Sequence, residues 1–143
     1  MTKITRPYTL ADRSWVEPLI GKVAIDAKGN HIEIVEDGAD RAVAVWHESG
    51  DNTPVLGAVE AVPPRRDIFY AAILAVIEAL VAKGYTTGTA DISDRHVMLL
   101  LKRGLGDAIT ITPVGRNVKT GEPGYWQIDT VPADALPILR GLV

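Results

Sequence analysis

The residues with the clearest potential for chemistry lie in the stretch "AVPPRRDIFYAAI", residues 61–73. Arg65 and Arg66 stand where a run of strand-forming residues gives way to a long helix, and guanidinium groups bind phosphate well. The free N–H groups and the dipole of a helix N-terminus attract anions too. The junction therefore predicts an anion site. It has two prolines and no glycine, so the alternative is a solvated, stiffened loop in which Asp67 neutralises one arginine.

A second candidate is a surface for protein contacts in the segment "GRNVKTGEPGYW". Arg116 and Lys119 give this segment a basic tip, and Tyr125 and Trp126 follow. Arg, Tyr and Trp are favoured at the energetic hot spots of protein interfaces. The segment predicts an interface with a protein partner, and the alternative is an ordinary solvated hairpin.

Composition narrows the function classes. The 143 residues are expected to form one domain, 1–143, and the net charge of −3 gives no basic footprint for nucleic acid or an anionic membrane. The absence of cysteine excludes disulfides and thiolate chemistry, and the three histidines lack the spacing of a metal pair. The stretch "MTKITRPYTLADRSW" lacks the apolar region expected of a signal peptide, and the apolar run "IFYAAILAVIEALVA" is too short to cross a bilayer. We therefore expect a soluble, intracellular protein without a metal.

Hydrophobic periodicity and turn residues predict an α/β layer structure. A helix opens at Thr9 and ends near Gly21, the strongest helix runs from Asp67 to Lys83, and a shorter one follows. A turn of helix is expected in the tail, 132–143. The short helix is predicted at 93–103, with strands near 3–5 and at 31–36, 41–48, 54–62, 85–92, 107–114 and 125–131. The short turns between the second, third and fourth strands predict an antiparallel meander.

The resulting order, β-α-β-β-β-α-β-α-β-β, resembles that of the GNAT superfamily, the Gcn5-related N-acetyltransferases, over about residues 2–131. The resemblance implies a mixed, mostly antiparallel sheet with helices on both faces. It also implies that the fourth strand leads into a turn, written R/Q-x-x-G-x-G/A, that binds the pyrophosphate of acyl-CoA. The fifth strand should splay away from the fourth and leave room for the cofactor's pantetheine arm.

The resemblance assigns cofactor-binding roles to four residues. Val62, Arg65 and Arg66 fall at the end of the fourth strand and in the pyrophosphate turn, and Ser93 falls on the asparagine that usually begins the next helix. If the chain is an enzyme, the cofactor implied is acetyl-CoA.

Glu60 falls on the fourth strand, where members of the family often keep a carboxylate that acts as general base. Strand alternation predicts that Glu60 shares a face with Leu56 and Ala58, and an apolar setting of this kind raises the pKa of a carboxyl group. The alternative is an ordinary surface glutamate.

Two residues depart from the family pattern. Phe69 stands where the family has the glycine that lets the backbone approach the phosphates, so we expect its ring to close the pocket. Leu100 stands where a tyrosine often protonates the leaving thiolate, and leucine has no proton to donate. The segment "SDRHVMLLLKRG", with His96, Leu100 and Gly104, resembles short GNAT-like proteins of tailed phages, including internal virion proteins of short-tailed phages.

The two departures together favour a protein that has lost acyl-CoA catalysis, needs no cofactor and serves as a binding or assembly component with protein partners, in a phage particle if it is phage-encoded. The alternative is a divergent acetyltransferase that binds acetyl-CoA through Arg65 and Arg66, with Glu60 as base and a solvent proton for the thiolate. A third reading is an unrelated α/β module with the same strand order.

Overall fold

A seven-stranded sheet organises the structure, a computed structural model that describes residues 3–143. Its strands are β1 Ile4–Pro7, β2 His31–Asp37, β3 Asp40–Glu48, β4 Pro54–Val62, β5 Gly88–Ile92, β6 Ile109–Val114 and β7 Tyr125–Thr130. They lie in the order β1-β2-β3-β4-β5-β7-β6. Only β4 and β5 pair in parallel, and β2, β3 and β4 form the predicted antiparallel meander. The mixed, mostly antiparallel sheet is confirmed.

Helices cover both faces of this sheet, as predicted. They are α1 Arg13–Ile20, α2 Lys22–Asp26, α3 Arg66–Ala82, α4 Arg95–Leu105 and α5 Pro132–Leu142. On one face, Val16 of α1 packs against Ile34, Val43 and Val45 of the meander. The larger cluster on the other face contains the buried residues of α3, α4 and α5. The short helix α2 was not foreseen.

Helix α3 is the centre of the core because it is apolar on nearly every side, which is typical of a helix enclosed by other elements. The meander contacts one side of α3 and α5 contacts another. Ala135 and Leu139 of α5 are fully buried. The tail 132–143 is therefore an integral helix of 11 residues, where the sequence predicted only one turn.

Helix α3 ends near the predicted Lys83, at a glycine in the left-handed region. Gly84 has φ of +83°, its N–H donates to the carbonyl of Val81, and the Tyr85 N–H donates to the carbonyl of Leu80. This pair of bonds is a Schellman motif, which satisfies the last carbonyls of the helix. Because the motif uses Tyr85, β5 begins at Gly88 and not at the predicted residue 85.

A buried carboxylate fixes the N-terminal segment to the sheet. Asp12 accepts a bidentate pair of bonds from Arg6 at 2.6 and 2.7 Å, one from the Thr9 N–H at 2.9 Å and one from the Trp15 indole at 3.1 Å. Arg6 also donates to Glu36 on β2. The Arg6 guanidinium is the main reason that the pKa of Asp12 lies far below its usual range.

Candidate functional site

Strands β4 and β5 diverge soon after they meet, and the gap between them is the candidate site. They pair only at Val55 with Thr89 and at Leu56 with Ala90, although β4 continues to Val62. Beyond the second pair a cleft of about 330 Å³ opens. The splay that the resemblance implied is therefore present.

The cleft has three walls, formed by the end of β4, the first turn of α3 and the first half of α4. Its lining residues are Val59, Glu60, Ala61, Pro64, Arg65, Arg66, Phe69, Asp94, His96, Val97 and Leu100. The fold thus brings Glu60, Arg65 and Arg66 to one cleft. Val62 and Ser93 lie next to lining residues but do not line the cleft.

A β-bulge in β4 changes which side chains share a face. Leu56 lies opposite Trp46 and Ala58 lies opposite Val45, so Gly57 is an extra, unpaired residue in β4. A bulge of this kind reverses the alternation of the strand and often lies beside an active site. The Leu56 side chain therefore packs toward α3 with Trp46, whereas Ala58 faces the α1 side of the sheet.

Glu60 lies opposite Val43, so it shares a face with Ala58 and not with Leu56. The prediction that all three side chains share one face is wrong, because the bulge at Gly57 interrupts the alternation; an isolated glycine inside a strand is the signal that could have indicated it. Glu60 is an exposed residue at the cleft, and its pKa is raised above the usual range by partial desolvation and by the nearby Asp94 carboxylate. A carboxylate with a raised pKa at a cleft has the property that a general base needs.

Arg65 is held by three carboxylates. Its guanidinium donates to Asp37 at 2.9 Å, to Asp40 at 2.7 Å and to Asp67 at 2.7 and 3.1 Å. These bonds keep the pKa of Asp67 well below its usual range. Arg65 thus joins the β2–β3 turn to the start of α3, and most of its N–H groups are committed to that connection. This geometry matches the sequence alternative, in which Asp67 neutralises one of the two arginines.

Arg66 offers its charge to the cleft. It is the first residue of α3, it is exposed, and no residue in the range 3–143 forms an ion pair or hydrogen bond with its side chain. The backbone N–H groups of Arg66, Asp67 and Ile68 begin the helix, and the N-cap Arg65 gives them no side-chain acceptor. Uncapped N–H groups beside a free guanidinium are favourable to an anion, so they form a candidate anion-binding corner.

Phe69 does not close the cleft, contrary to the prediction. It lies inside the first turn of α3, it is 6% exposed, and its ring meets the Tyr70 ring edge-on at 5.6 Å. The ring therefore forms part of a wall. Because α3 begins at Arg66, the turn that would face a phosphate is 62–65 and not the segment around Phe69. Pro63 and Pro64 in that turn have no N–H to offer.

Asp94 orients the opposite wall. It caps α4 by accepting from the His96 N–H at 2.8 Å and the Val97 N–H at 3.3 Å, so the capping role falls to Asp94 and not to Ser93. His96 and Leu100 are four residues apart, which places them on one face of α4, toward the cleft. Asp94 and His96 are two further polar residues of the site that the sequence did not place at it. An acidic residue just before a helical apolar run is a capping signal, and it could have located them.

Close contact between α3 and α4 fixes the width of the cleft. The Tyr70 hydroxyl donates to the carbonyl of Leu100, and burial raises the pKa of this tyrosine. Gly104 faces the Tyr70 ring so closely that an added Cβ would lie 2.6 Å from ring carbon Cε1. Glycine at 104 therefore lets the two helices approach.

The hairpin between β6 and β7 lies apart from the cleft. Arg116 and Lys119 are exposed in its loop, and Tyr125 is 37% exposed. Trp126 is half-buried beside α4, where it lines a hollow with Met98. The protein interface at this hairpin stays a prediction.

Three further findings concern His31, metal sites and membrane-spanning helices. The His31 ring is hydrogen-bonded to Glu48 at 2.9 Å and stacks on Trp46 with ring centroids 4.0 Å apart. These contacts give His31 a structural role. Across residues 3–143, no three His, Asp or Glu side chains come together as a metal site. Within the same range, no helix has the length and apolar character needed to span a membrane.

Solved structures show the same architecture at very low sequence identity. The ribosomal-protein-S18-alanine N-acetyltransferase from Escherichia coli is 13% identical, with a TM-score of 0.66 over 91% of this chain and 94% of that one. An acetyltransferase from Bacillus subtilis in complex with CoA is 12% identical, with a TM-score of 0.64 over 90% and 97%. An N-acetyltransferase from Staphylococcus aureus Mu50 is 8% identical, with a TM-score of 0.66 over 93% and 99%.

At the level of sequence, no family model and no curated protein matches the chain. The structural likeness extends along nearly the whole of both chains in each comparison. The chain therefore has the GNAT fold, the fold of the N-acetyltransferases to which it is similar.

Proposed function

We propose that this chain is an acyl-CoA-dependent N-acyltransferase that works in the β4–β5 cleft. One observation carries the proposal: the cleft joins a candidate anion-binding corner at Arg66 to a carboxyl group of raised pKa at Glu60. The assembly role expected from the sequence depended on the loss of an open pocket at Phe69 and of a proton donor at Leu100. The structure does not show a pocket closed by Phe69. The similar B. subtilis structure is a complex with CoA, which supports the same ligand here.

The residues present fit the cofactor through a reduced set of contacts. Arg66 and the first three N–H groups of α3 would hold the phosphates, whereas Arg65 would act by fixing the turn. Pro63 and Pro64 remove donors that a glycine turn would supply, so we expect an affinity in the micromolar range or weaker. When bound, the cofactor supplies a thioester, an acyl group activated for transfer.

Glu60 would act on the acceptor amine. As the amine nitrogen forms its bond to the acyl carbon and the carbon–sulfur bond breaks, Glu60 takes the proton that the nitrogen loses. Leu100 has no proton for the departing sulfur, so a water molecule must supply it. A thiol has a pKa near 8.5, which makes the thiolate a tolerable leaving group without an acid.

Binding is tested by isothermal titration of acetyl-CoA into the wild-type protein, Arg66→Glu and Arg116→Glu. Arg116→Glu is the matched control because it makes the same charge change on the distant hairpin. We expect Arg66→Glu to weaken binding at least tenfold, since a repulsive charge replaces a charge-assisted bond, and Arg116→Glu to bind normally. Absence of binding to the folded wild type at millimolar ligand would overturn the proposal.

Transfer is tested by the release of free CoA thiol in the presence of a panel of primary amines. The chain contains no cysteine, so a thiol reagent reports only the released cofactor. Glu60→Gln should lower kcat/KM by about 100-fold and leave the affinity for acetyl-CoA unchanged. Normal turnover by Glu60→Gln would remove the base from the mechanism.

A further inference from the structure

A small apolar cavity lies inside the core at the point where β4 and β5 meet. Its volume is about 60 Å³, and its lining is almost entirely apolar. It lies on the α3 side of the sheet and is framed by Leu56 of β4, Ala90 of β5, Ile73 of α3 and Leu101 of α4. Leu56 and Ala90 are the last pair of the parallel ladder, so the cavity stands at the vertex of the splay.

The cavity and the cleft follow one another along the same elements. On α3, Phe69 lines the cleft and Ile73 lines the cavity. These two residues are four positions, or about 6 Å, apart on one face of the helix. On α4, Leu100 belongs to the cleft and Leu101 to the cavity. Among residues 3–143 none lines both spaces, but neighbouring residues of β4, α3 and α4 line one or the other, so the cavity lies just beyond the inner end of the cleft, on the side away from Arg66.

This arrangement gives the cavity a defined occupant, and the inference rests on the proposed function. A cofactor whose phosphates lie at Arg66 would extend along β4 toward the vertex, because β4 lines the cleft at Val59–Ala61 and meets β5 at Leu56. Its acyl group then arrives beside Leu56 and Ala90. We propose that the cavity receives the acyl chain, and that the preferred donor carries a short aliphatic acyl group longer than acetyl.

The cavity volume sets the length of that chain. An engineered apolar cavity of about 150 Å³ holds the six carbons of benzene, so about 60 Å³ holds two or three carbons. Added to the two carbons of an acetyl group, they correspond to a butanoyl or pentanoyl chain. Each methylene moved from water into an apolar site strengthens binding roughly fourfold, so butanoyl-CoA should bind roughly 15-fold more tightly than acetyl-CoA.

The test is calorimetric titration with CoA, acetyl-CoA and butanoyl-CoA, on the wild type and two variants. Ala90→Val fills the cavity from β5 and suits a strand, so it should abolish the advantage of butanoyl-CoA over acetyl-CoA. Ala79→Val is the control, because it enlarges a partly buried alanine that does not line the cavity. If Ala90→Val does not fold, methyl NMR of the wild type replaces it: butanoyl-CoA, unlike acetyl-CoA, should shift the Ile73 and Leu101 methyl signals.

The outcomes separate this inference from the proposed function. Equal affinity for acetyl-CoA and butanoyl-CoA would overturn the chain-length preference and leave the acyltransferase proposal intact. A preference for butanoyl-CoA that persists in Ala90→Val, or that leaves the methyl signals unmoved, would place the chain elsewhere and overturn the inference as well. Absence of binding by every CoA compound would overturn both.

Discussion

Replacing Gly104 by alanine should destabilise this protein, although the same replacement at a helical position with free space around it usually stabilises a protein. Glycine inside a helix costs about 1 kcal/mol relative to alanine, so helix propensity alone favours the substitution. At residue 104, however, the new Cβ would lie 2.6 Å from Cε1 and 2.7 Å from Cζ of Tyr70. Ordinary carbon contacts lie near 3.5–4.0 Å, so the ring or the helix must move by about 1 Å.

Tyr70 has little room for that movement because it is 3% exposed and its hydroxyl is bonded to the carbonyl of Leu100. Overpacking a core costs about 1–3 kcal/mol and a lost hydrogen bond about 1 kcal/mol more. After subtraction of the gain in propensity, the free energy of unfolding of Gly104→Ala should fall by about 2 kcal/mol. For a chain of this size, that corresponds to a fall in Tm of about 8 °C.

The measurement is urea unfolding with calorimetry, and Gly141→Ala in α5 is the control. Gly141 is also helical, but an added Cβ there meets no atom within 4 Å, so this variant should be neutral or slightly more stable. In a Tyr70→Leu background, Gly104→Ala should lose its cost, because the ring it strikes has gone. A stabilised Gly104→Ala, equal to Gly141→Ala, would refute the close contact between α3 and α4.

Other residues give further tests. Asp12→Asn should lower the free energy of unfolding by about 2 kcal/mol in urea titrations near pH 7, since it removes a charged, hydrogen-bonded group that is 3% exposed. Because the pKa of Asp12 is depressed in the folded state, this difference should be full above about pH 4 and should shrink as the pH falls below that value. A difference that does not depend on pH would contradict the assignment. Leu139→Ala should cost about 2–5 kcal/mol if α5 is part of the core, whereas an unchanged midpoint would show that the tail is dispensable. Arg65→Met should lower Tm but leave the affinity for acetyl-CoA unchanged in titrations, because the guanidinium is bonded to three carboxylates. A loss of affinity would indicate that the guanidinium itself binds the cofactor. In transfer assays, kcat/KM should fall as the pH drops through the raised pKa of Glu60, and Glu60→Gln should lose this acid limb.

Periodic and local signals account for the part of the fold that the sequence predicted well. The meander strands alternate or are bounded by turn residues, and Gly84 and Asp94 act at helix ends as their types suggest. The last helix was underestimated because Pro137 interrupts a short segment, and the stability of α5 comes from burying Leu139 against the core. Burial of that kind depends on tertiary packing, which periodicity does not report.

The site was predicted less completely because its geometry depends on register. A bulge at Gly57 reverses the face of every later residue in β4, and the glycine that could have indicated the bulge does not fix the register. The start of α3 at Arg66 moves the phosphate-facing turn away from Phe69, a shift of a few residues that motif matching could not resolve. Arg65 and Arg66 are adjacent and alike in sequence, and only the three carboxylates around Arg65 separate a structural cation from an available one.

The central claim is that the β4–β5 cleft binds CoA with its phosphates at the start of α3. The most direct test is a titration of the ¹⁵N-labelled protein with CoA, followed through the backbone amide signals. We expect the amide signals of Arg66, Asp67 and Ile68 to shift together and saturably, while those of the hairpin loop 115–124 stay in place. Saturating shifts confined to that loop, or no shift at millimolar CoA, would contradict it.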